Sequence, residues 1–367
     1  MSNNVFENLA ARDHEQVIFC SDQSAGLKAI IAVHNTSLGP ALGGCRMWQY
    51  DNEDAALKDV LRLSRGMTYK AAVAGLNLGG GKAVIWGDAK KDKNEVLFRS
   101  FGRFVAGLAG RYITAEDVGT SVRDMEWVRM ETPHVTGISR SLGGSGDPSP
   151  VTAFGVYQGM RAAVKFVTGK DSLQGQTVAI QGAGQVGTHL AKHLTQDGAK
   201  VMICDIDQEA VKRAVAETKC EGVSVEEIYD VKCDVFAPCA LGGTVNQKTL
   251  PRMKAKIIAG AANNQLEDDS IAEMLQERGV LYAPDYVINS GGLINVANEL
   301  EGYNQERAMQ QAGNIYQIIT RVLQAAQTQK IPTQKAADNL AMERVQAIGR
   351  LKQTFTGYPG GSIRGVS

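Results

Sequence analysis

The stretch that decides the fold is Thr177-Val-Ala-Ile-Gln-Gly182-Ala-Gly184-Gln-Val-Gly187. It opens as a short apolar strand, turns at glycine and continues as a helix. Gly182 permits the tight turn, Gly184 lets a pyrophosphate approach the backbone, and Gly187 lets the helix pack against the sheet. Ala183, Gln185, Val186 and Thr188 complete the loop and the first helical turn, where unpaired N–H groups can receive an anion. Lys200-Val-Met-Ile-Cys-Asp205 follows as a second strand ending in an acid. Asp205 can accept the ribose hydroxyls and should repel a 2′-phosphate, which selects NAD over NADP.

Outward from this motif, short apolar strands alternate with helices. Helices are expected at 151–166, 185–196 and 209–217, and strands at 177–181, 200–205, 234–237, 255–259 and 280–283. Such alternation predicts a parallel, doubly wound sheet. Upstream, Gly143-Gly-Ser-Gly-Asp147-Pro148 marks a turn or hinge, since Gly permits unusual dihedrals and Pro restricts its predecessor. Before it, strands between Val17 and Val33 break at Ser24-Ala25-Gly26. Asn52 precedes a helix with Ala56, Val60, Leu63 and Met67 at helical spacing. Glycines 79, 80 and 81 interrupt that pattern as a turn leading into the strand Ala83–Trp86, and another helix is expected from Asn94 to Ala109. Beyond Tyr303 one long helix should run to Gln329 and another from Thr333 to Leu351. The fold class is α/β, divided at 1–140, 141–330 and 331–367.

Composition narrows the function. The chain has 367 residues, 44% of them apolar and 21% charged, with 39 basic against 39 acidic residues. That is ample for large cores and argues against disorder. A balanced charge argues against a general nucleic-acid or polybasic membrane surface. The first twenty residues lack the basic and apolar segments of a secretory signal, and no apolar run is long enough to span a bilayer. Six scattered cysteines form neither a disulfide framework nor a zinc pattern. The expected location is cytoplasmic, and no metal is called for.

The most unusual chemistry lies in Arg65-Gly-Met67-Thr-Tyr-Lys70 and Asn77-Leu-Gly79-Gly-Gly-Lys82. Two lysines near one pocket can divide their work. One can hold a substrate carboxylate, while the other, disfavoured in its charged form by burial and like charge, can act as a base. Tyr112-Ile-Thr-Ala115-Glu-Asp117 adds a carboxylate able to orient a lysine or relay a proton. The residues alone leave other readings open. A hydroxy-acid dehydrogenase would give the two lysines no clear role, and a non-catalytic NAD-binding sensor would need neither of them.

With these segments together the chain resembles the glutamate/leucine/phenylalanine/valine dehydrogenase family over nearly its whole length. The resemblance rests on Leu38-Gly-Pro-Ala-Leu42-Gly-Gly44, Met67-Thr-Tyr-Lys70, Gly79-Gly-Gly-Lys82, Ala115-Glu-Asp-Val-Gly-Thr120 and Gly143-Gly-Ser-Gly-Asp-Pro-Ser-Pro150. It continues through the nucleotide motif, Ala261-Ala262-Asn263-Asn264 and Pro284-Asp-Tyr-Val-Ile-Asn289-Ser-Gly-Gly292. It implies an N-terminal oligomerisation domain, a Rossmann-type NAD-binding domain, and C-terminal helices returning to the first. It also implies a homo-oligomer, an octamer, that reversibly deaminates an L-amino acid to a 2-oxo acid and ammonia. Lys82 matches the catalytic lysine, Lys70 the lysine that binds the substrate carboxylate, and Asp117 the catalytic aspartate. Asn264 matches a residue that helps hold the substrate. Thr152, Asn263 and Asn289 fall in segments lining the substrate or nicotinamide cleft, and Ala240 and Ala262 fall near the dinucleotide. Leu42, Met67, Ala115, Leu293 and Val296 match the side-chain pocket, an apolar recess suited to a branched aliphatic substrate with leucine preferred. Leu293 departs from the valine often found there.

Overall fold

The structure is a computed structural model that describes residues 5–351. Its N-terminal half begins with α1 (Val5–Arg12), β1 (Gln16–Asp22), β2 (Leu27–Asn35) and β3 (Ala41–Trp48). Then come α2 (Glu53–Val73), β4 (Gly79–Trp86), α3 (Glu95–Ala106), β5 (Tyr112–Glu116) and α4 (Val122–Arg129). The five strands lie in the order β1-β2-β4-β3-β5. β1, β2 and β4 pair antiparallel, while β3 runs parallel to both β4 and β5. Asn52 caps α2 by accepting the Ala55 N–H at 2.9 Å, which satisfies a donor that the first turn would leave unpaired.

Glycines 79, 80 and 81 do not form the expected turn; they open β4 itself. The reason is proximity. A Cβ on Gly80 would stand 2.1 Å from the Thr68 backbone nitrogen of α2, so only glycine lets helix and strand meet at this depth. β3 also escaped the sequence reading, because Pro40, Gly43 and Gly44 dilute its strand signal. The helix α4 was missed as well, although Ser121 and Asp124 form the capping box that announces it.

The second half comprises α5 (Ser149–Thr168), β6 (Thr177–Gln181), α6 (Gln185–Gln196), β7 (Lys200–Cys204), α7 (Gln208–Thr218) and β8 (Glu221–Gly222). It continues with β9 (Val235–Pro238), β10 (Ile257–Ile258), α8 (Ser270–Glu277), β11 (Leu281–Tyr282), α9 (Asp285–Ile288) and α10 (Gly291–Ala297). The six strands are all parallel, ordered β11-β10-β9-β6-β7-β8. Strand order therefore reverses between β6 and β9, and ligands of such sheets bind at the carboxyl ends flanking that point. The chain closes with α11 (Gln305–Gly313), α12 (Ile315–Gln329) and α13 (Thr333–Gly349). The single long helix expected before Gln329 is two. Gly313, a poor helix former, breaks it, and the kink lets both halves pack on α5.

α13 lies against α2, where Ala341 and Val345 pack on Leu38 and Ala72. Arg344 donates to the backbone oxygens of Ala72 and Leu76 at 3.1 and 2.6 Å, tying off carbonyls at the end of α2. Residues 352–367, which fall in the expected C-terminal segment, lie outside the described residues. Among the described residues no helix is long and apolar enough to cross a membrane.

Candidate active site

The nucleotide turn is built as its glycines require. Gly182 has φ +119°, and a Cβ there would meet the backbone of Cys239 and Ala240 at 2.7–2.9 Å. A Cβ on Gly187 would stand 2.0 Å from the Gly182 oxygen, whereas one on Gly184 would meet nothing within 4 Å. The open side of the turn is therefore at Gly184, where a pyrophosphate needs room. The Asp205 carboxylate accepts the N–H of Ala183 at 2.7 Å and that of Asp207 at 2.9 Å. It thus braces the glycine turn in addition to standing at the strand end. Asp207 caps α7 by accepting the N–H groups of Glu209 and Ala210. Thr188 donates to the Ala183 oxygen at 3.3 Å and steadies the loop.

Across the sheet, Ala240 and Ala262 follow β9 and β10, with the Ala262 N–H bonded to the Pro238 oxygen at 2.8 Å. Buried Asn289, at the end of α9, donates to the Ala261 oxygen at 3.0 Å and to Asn263 Oδ1 at 2.8 Å. Thr152 donates to the Pro148 oxygen within the first turn of α5, close to Gly292. The loops of the nucleotide sheet are thereby joined into one wall.

The opposite wall comes from the first half. Lys70, in the last turn of α2, donates to Asn289 Oδ1 at 2.7 Å and so spans the cleft between the halves. Burial pushes its pKa down to about 8; nearby Lys82 lowers it too, while the charges of Asp285 and Asp117 oppose. Lys82 lies in β4, 4% exposed, with Nζ 3.0 Å from Asp117 Oδ1. Asp117 follows β5. Its carboxyl is pushed up by burial, but Lys82 and Arg46, through charge and hydrogen bonds, outweigh this and hold it below the usual range. Its loop is fixed by Thr120, whose hydroxyl accepts the Asp117 N–H and donates to the Cys45 oxygen, both at 2.9 Å.

Beside the lysines, Leu42, Met67, Leu293 and Val296 gather in one apolar cluster with Ala71, Leu78 and Ile113. Burying a leucine such as Leu42, 1% exposed, contributes roughly 1.5–3 kcal/mol. Ala115 is not part of that cluster; it is buried in β5 opposite Gly44 of β3. Asn264 lies in the loop after β10, next to Asn263. It is exposed, adopts φ +52°, and accepts from Arg62 of α2 at 3.3 Å. Three site neighbours went unnoticed in the sequence. Arg46 and Asp59 stand behind Asp117, and Asp285 is a half-buried carboxylate whose charge acts on Lys70. Arg46 sits on β3, which escaped the sequence reading, and Asp59 on α2, whose apolar spacing says nothing of what its polar side chains meet. Asp285 lay inside the recognised Pro284–Gly292 segment but had no partner in the sequence.

Residues 14–134 match the Glu/Leu/Phe/Val dehydrogenase dimerisation domain, and residues 143–210 and 202–352 match the Glutamate/Leucine/Phenylalanine/Valine dehydrogenase domain. The chain belongs to this family. It is 56% identical to leucine dehydrogenase of Bacillus cereus over 355 residues, 97% of each chain. It is equally 56% identical to that of Geobacillus stearothermophilus over 351 residues, 96% of each. A solved L-tryptophan dehydrogenase from Nostoc punctiforme superposes with a TM-score of 0.85 at 44% identity, covering 94% of this chain and 100% of that one. The family's α/β architecture is the one found here, with Lys70 of the first sheet's helix bonded to Asn289 beside the second sheet.

Proposed function

We propose that this protein is a leucine dehydrogenase, catalysing NAD-dependent, reversible oxidative deamination of L-leucine, and of isoleucine and valine, to 2-oxo acids and ammonia. The observation that carries the reading is the meeting of Lys70, the Lys82–Asp117 pair and an uncharged apolar cluster at the edge of the nucleotide wall. The near-full-length likeness to leucine dehydrogenases supports the same substrate.

The turn at Gly182–Thr188 fits a dinucleotide, being open at Gly184 and closed elsewhere. Gly182, Gly184, Gly187 and the start of α6 would hold its pyrophosphate, and Asp205 its ribose. Ala240, Ala262, Asn263, Asn289 and Thr152 would line the nicotinamide side. When bound, NAD supplies the hydride acceptor. Lys70 holds the substrate carboxylate, whose negative charge favours the protonated lysine. The apolar cluster excludes water around the aliphatic side chain and offers no cation for a distal carboxylate. Lys82, ion-paired with Asp117 in this structure, serves as the base in its neutral form, its proton and that of the substrate ammonium having passed to solvent before hydride leaves the substrate Cα. It then takes a proton from the water that adds to the imino acid, and Asp117 exchanges protons as the adduct collapses to 2-oxo acid and ammonia. Asn264 reaches the substrate from the mouth of the cleft.

The reading includes a division at 1–140, 141–330 and 331–367 and an octameric assembly through the first part. It also includes a cytoplasmic location, in keeping with six free cysteines, five of them buried. The test is leucine-dependent formation of NADH and ammonia in equal amounts. Lys82→Ala, folded and assembled, should lose turnover by at least ~10²-fold while still binding NAD. Undiminished turnover in that variant would remove Lys82 from the reaction.

A further inference from the structure

The Asp117 carboxylate is gripped from two sides. Lys82 Nζ stands 3.0 Å from Oδ1, and Arg46 Nε donates to Oδ2 at 3.0 Å. Arg46 lies in β3, next to Cys45, whose carbonyl also anchors the Asp117 loop through Thr120. Its other arm, Nη1, donates at 3.0 Å to Asp59 Oδ2 on α2. Asp59 in turn accepts from Tyr50 Oη at 2.8 Å and from Arg62 Nη2 at 2.9 Å. Asp59 is thus itself held, and the guanidinium is fixed at both ends.

This arrangement has more structure than charge balance requires. Lys82 alone would satisfy one oxygen of Asp117, and at 23% side-chain exposure the other could find water. Instead a planar fork, locked by a braced second carboxylate, sets the rotation of Asp117 about its side-chain bonds. A guanidinium does this where an ammonium cannot, because its donors diverge in fixed directions. Proton exchange is sensitive to such placement, since the donor and acceptor must come within hydrogen-bond reach in a defined orientation.

We propose that Arg46 is a positioning residue for the reaction: backed by Asp59, it holds Asp117 in the orientation from which Asp117 serves Lys82 and the substrate. The inference rests on the assignment of Lys82 and Asp117 to catalysis. Arg46 touches neither substrate nor cofactor in this scheme and acts through Asp117. The plain alternative is a staple that ties β3 to α2 and affects folding only. The two differ in what pH does. Without Arg46, Asp117 loses a cation that favours its charged form, so as pH falls, activity that needs the carboxylate should be lost sooner. A staple would lower the amount of active enzyme equally at every pH.

The structure also offers a direct probe. Arg46 lines a surface cavity of about 530 Å³ shared with Trp48, Tyr50, Asp59 and Val118. Guanidinium ion added to Arg46→Ala can therefore enter the vacated place from solvent. The experiment compares assembled wild type, Arg46→Ala, Arg46→Lys and Asp59→Asn in leucine oxidation. The profile of kcat/KM is taken against pH, with and without millimolar guanidinium, and Lys82→Ala runs alongside. Arg46→Ala should lose about 10- to 100-fold in kcat with little change in leucine KM. Its acid limb should move up by about one pH unit, and guanidinium should restore a measurable part of kcat. Arg46→Lys, keeping charge without the fork, should keep the limb near its place yet lose kcat, and Asp59→Asn should show a weaker loss of the same kind. An unshifted limb with no guanidinium rescue, or wild-type kcat in Arg46→Ala, would overturn the inference. If Arg46→Ala does not assemble, the limb and the kcat/KM split in Asp59→Asn decide by the same criteria. An active Lys82→Ala would instead refute the catalytic assignment beneath it, so the two failures are distinguishable.

Discussion

At the scale of single residues, chemistry was more legible than support. Lys70, Lys82, Asp117 and Asn289 stood in segments marked by glycine or by the family's motifs, and the structure brings them to one cleft. Their supports, Arg46, Asp59 and Asp285, depend on which strands and helices become neighbours, and nothing local in the sequence states that. The titration of Lys70 yields a prediction. Its pKa is lowered to about 8, mainly by burial, so the cation proposed to capture the substrate carboxylate is present below that pH and lost above it. KM for the 2-oxo acid of leucine, a substrate with no titrating group in this range, should therefore rise as pH passes 8. Lys70→Ala should show a raised KM at all pH values with that dependence gone. A wild-type KM flat from pH 7 to 9.5 would contradict the role given to Lys70.

At the scale of elements, strands with continuous apolar runs and helices with regular apolar spacing were readable, whereas the short capped helix α4 was not. The glycine-bearing strands β3 and β4 also escaped, because glycine signals turn and close approach alike. β4 is the clearest case. Its glycines seemed to interrupt structure, yet they let α2 sink onto the strand so that Met67 and Lys70 reach the cleft holding Lys82. Gly80→Ala would place a methyl 2.1 Å from the Thr68 nitrogen and 2.6 Å from the Ser64 oxygen, both backbone atoms that cannot yield cheaply. It should shift α2, lowering kcat/KM at least ~10-fold and stability by about 1–3 kcal/mol. Asn52→Ala, at the exposed start of the same helix, should cost about 1 kcal/mol and leave catalysis intact. Urea unfolding with parallel kinetics checks both, and a fully active Gly80→Ala would refute the close-packing argument.

At the scale of the whole molecule, the alternation of strand and helix made the parallel sheet legible, whereas the return of α13 onto α2 rested on family likeness. One consequence of the packing appears only in three dimensions. His14 and His34 meet edge to face at 4.7 Å beneath α2, bonded to Ser64 and Thr68. Burial lowers both pKa values from 6.5 to about 4, with the neighbouring histidine contributing to the shift at His34. The unfolded chain binds protons that the folded one refuses between these values. The histidines' contribution to stability is therefore complete above about pH 6.5 and lost as pH falls toward 4. The urea midpoint should drop between pH 7 and pH 5, and the drop should shrink in His14→Gln. An equal drop in that variant would clear His14 of the effect. Substrate identity is read from kcat/KM with NAD for leucine, isoleucine, valine, phenylalanine and glutamate. The apolar cluster of Leu42, Met67, Leu293 and Val296, as the proposed side-chain site, predicts leucine first, with isoleucine and valine following. The gaps should be no more than about 1–3 kcal/mol per methylene, so their activities overlap. A higher value for glutamate or phenylalanine than for all three branched substrates would contradict it.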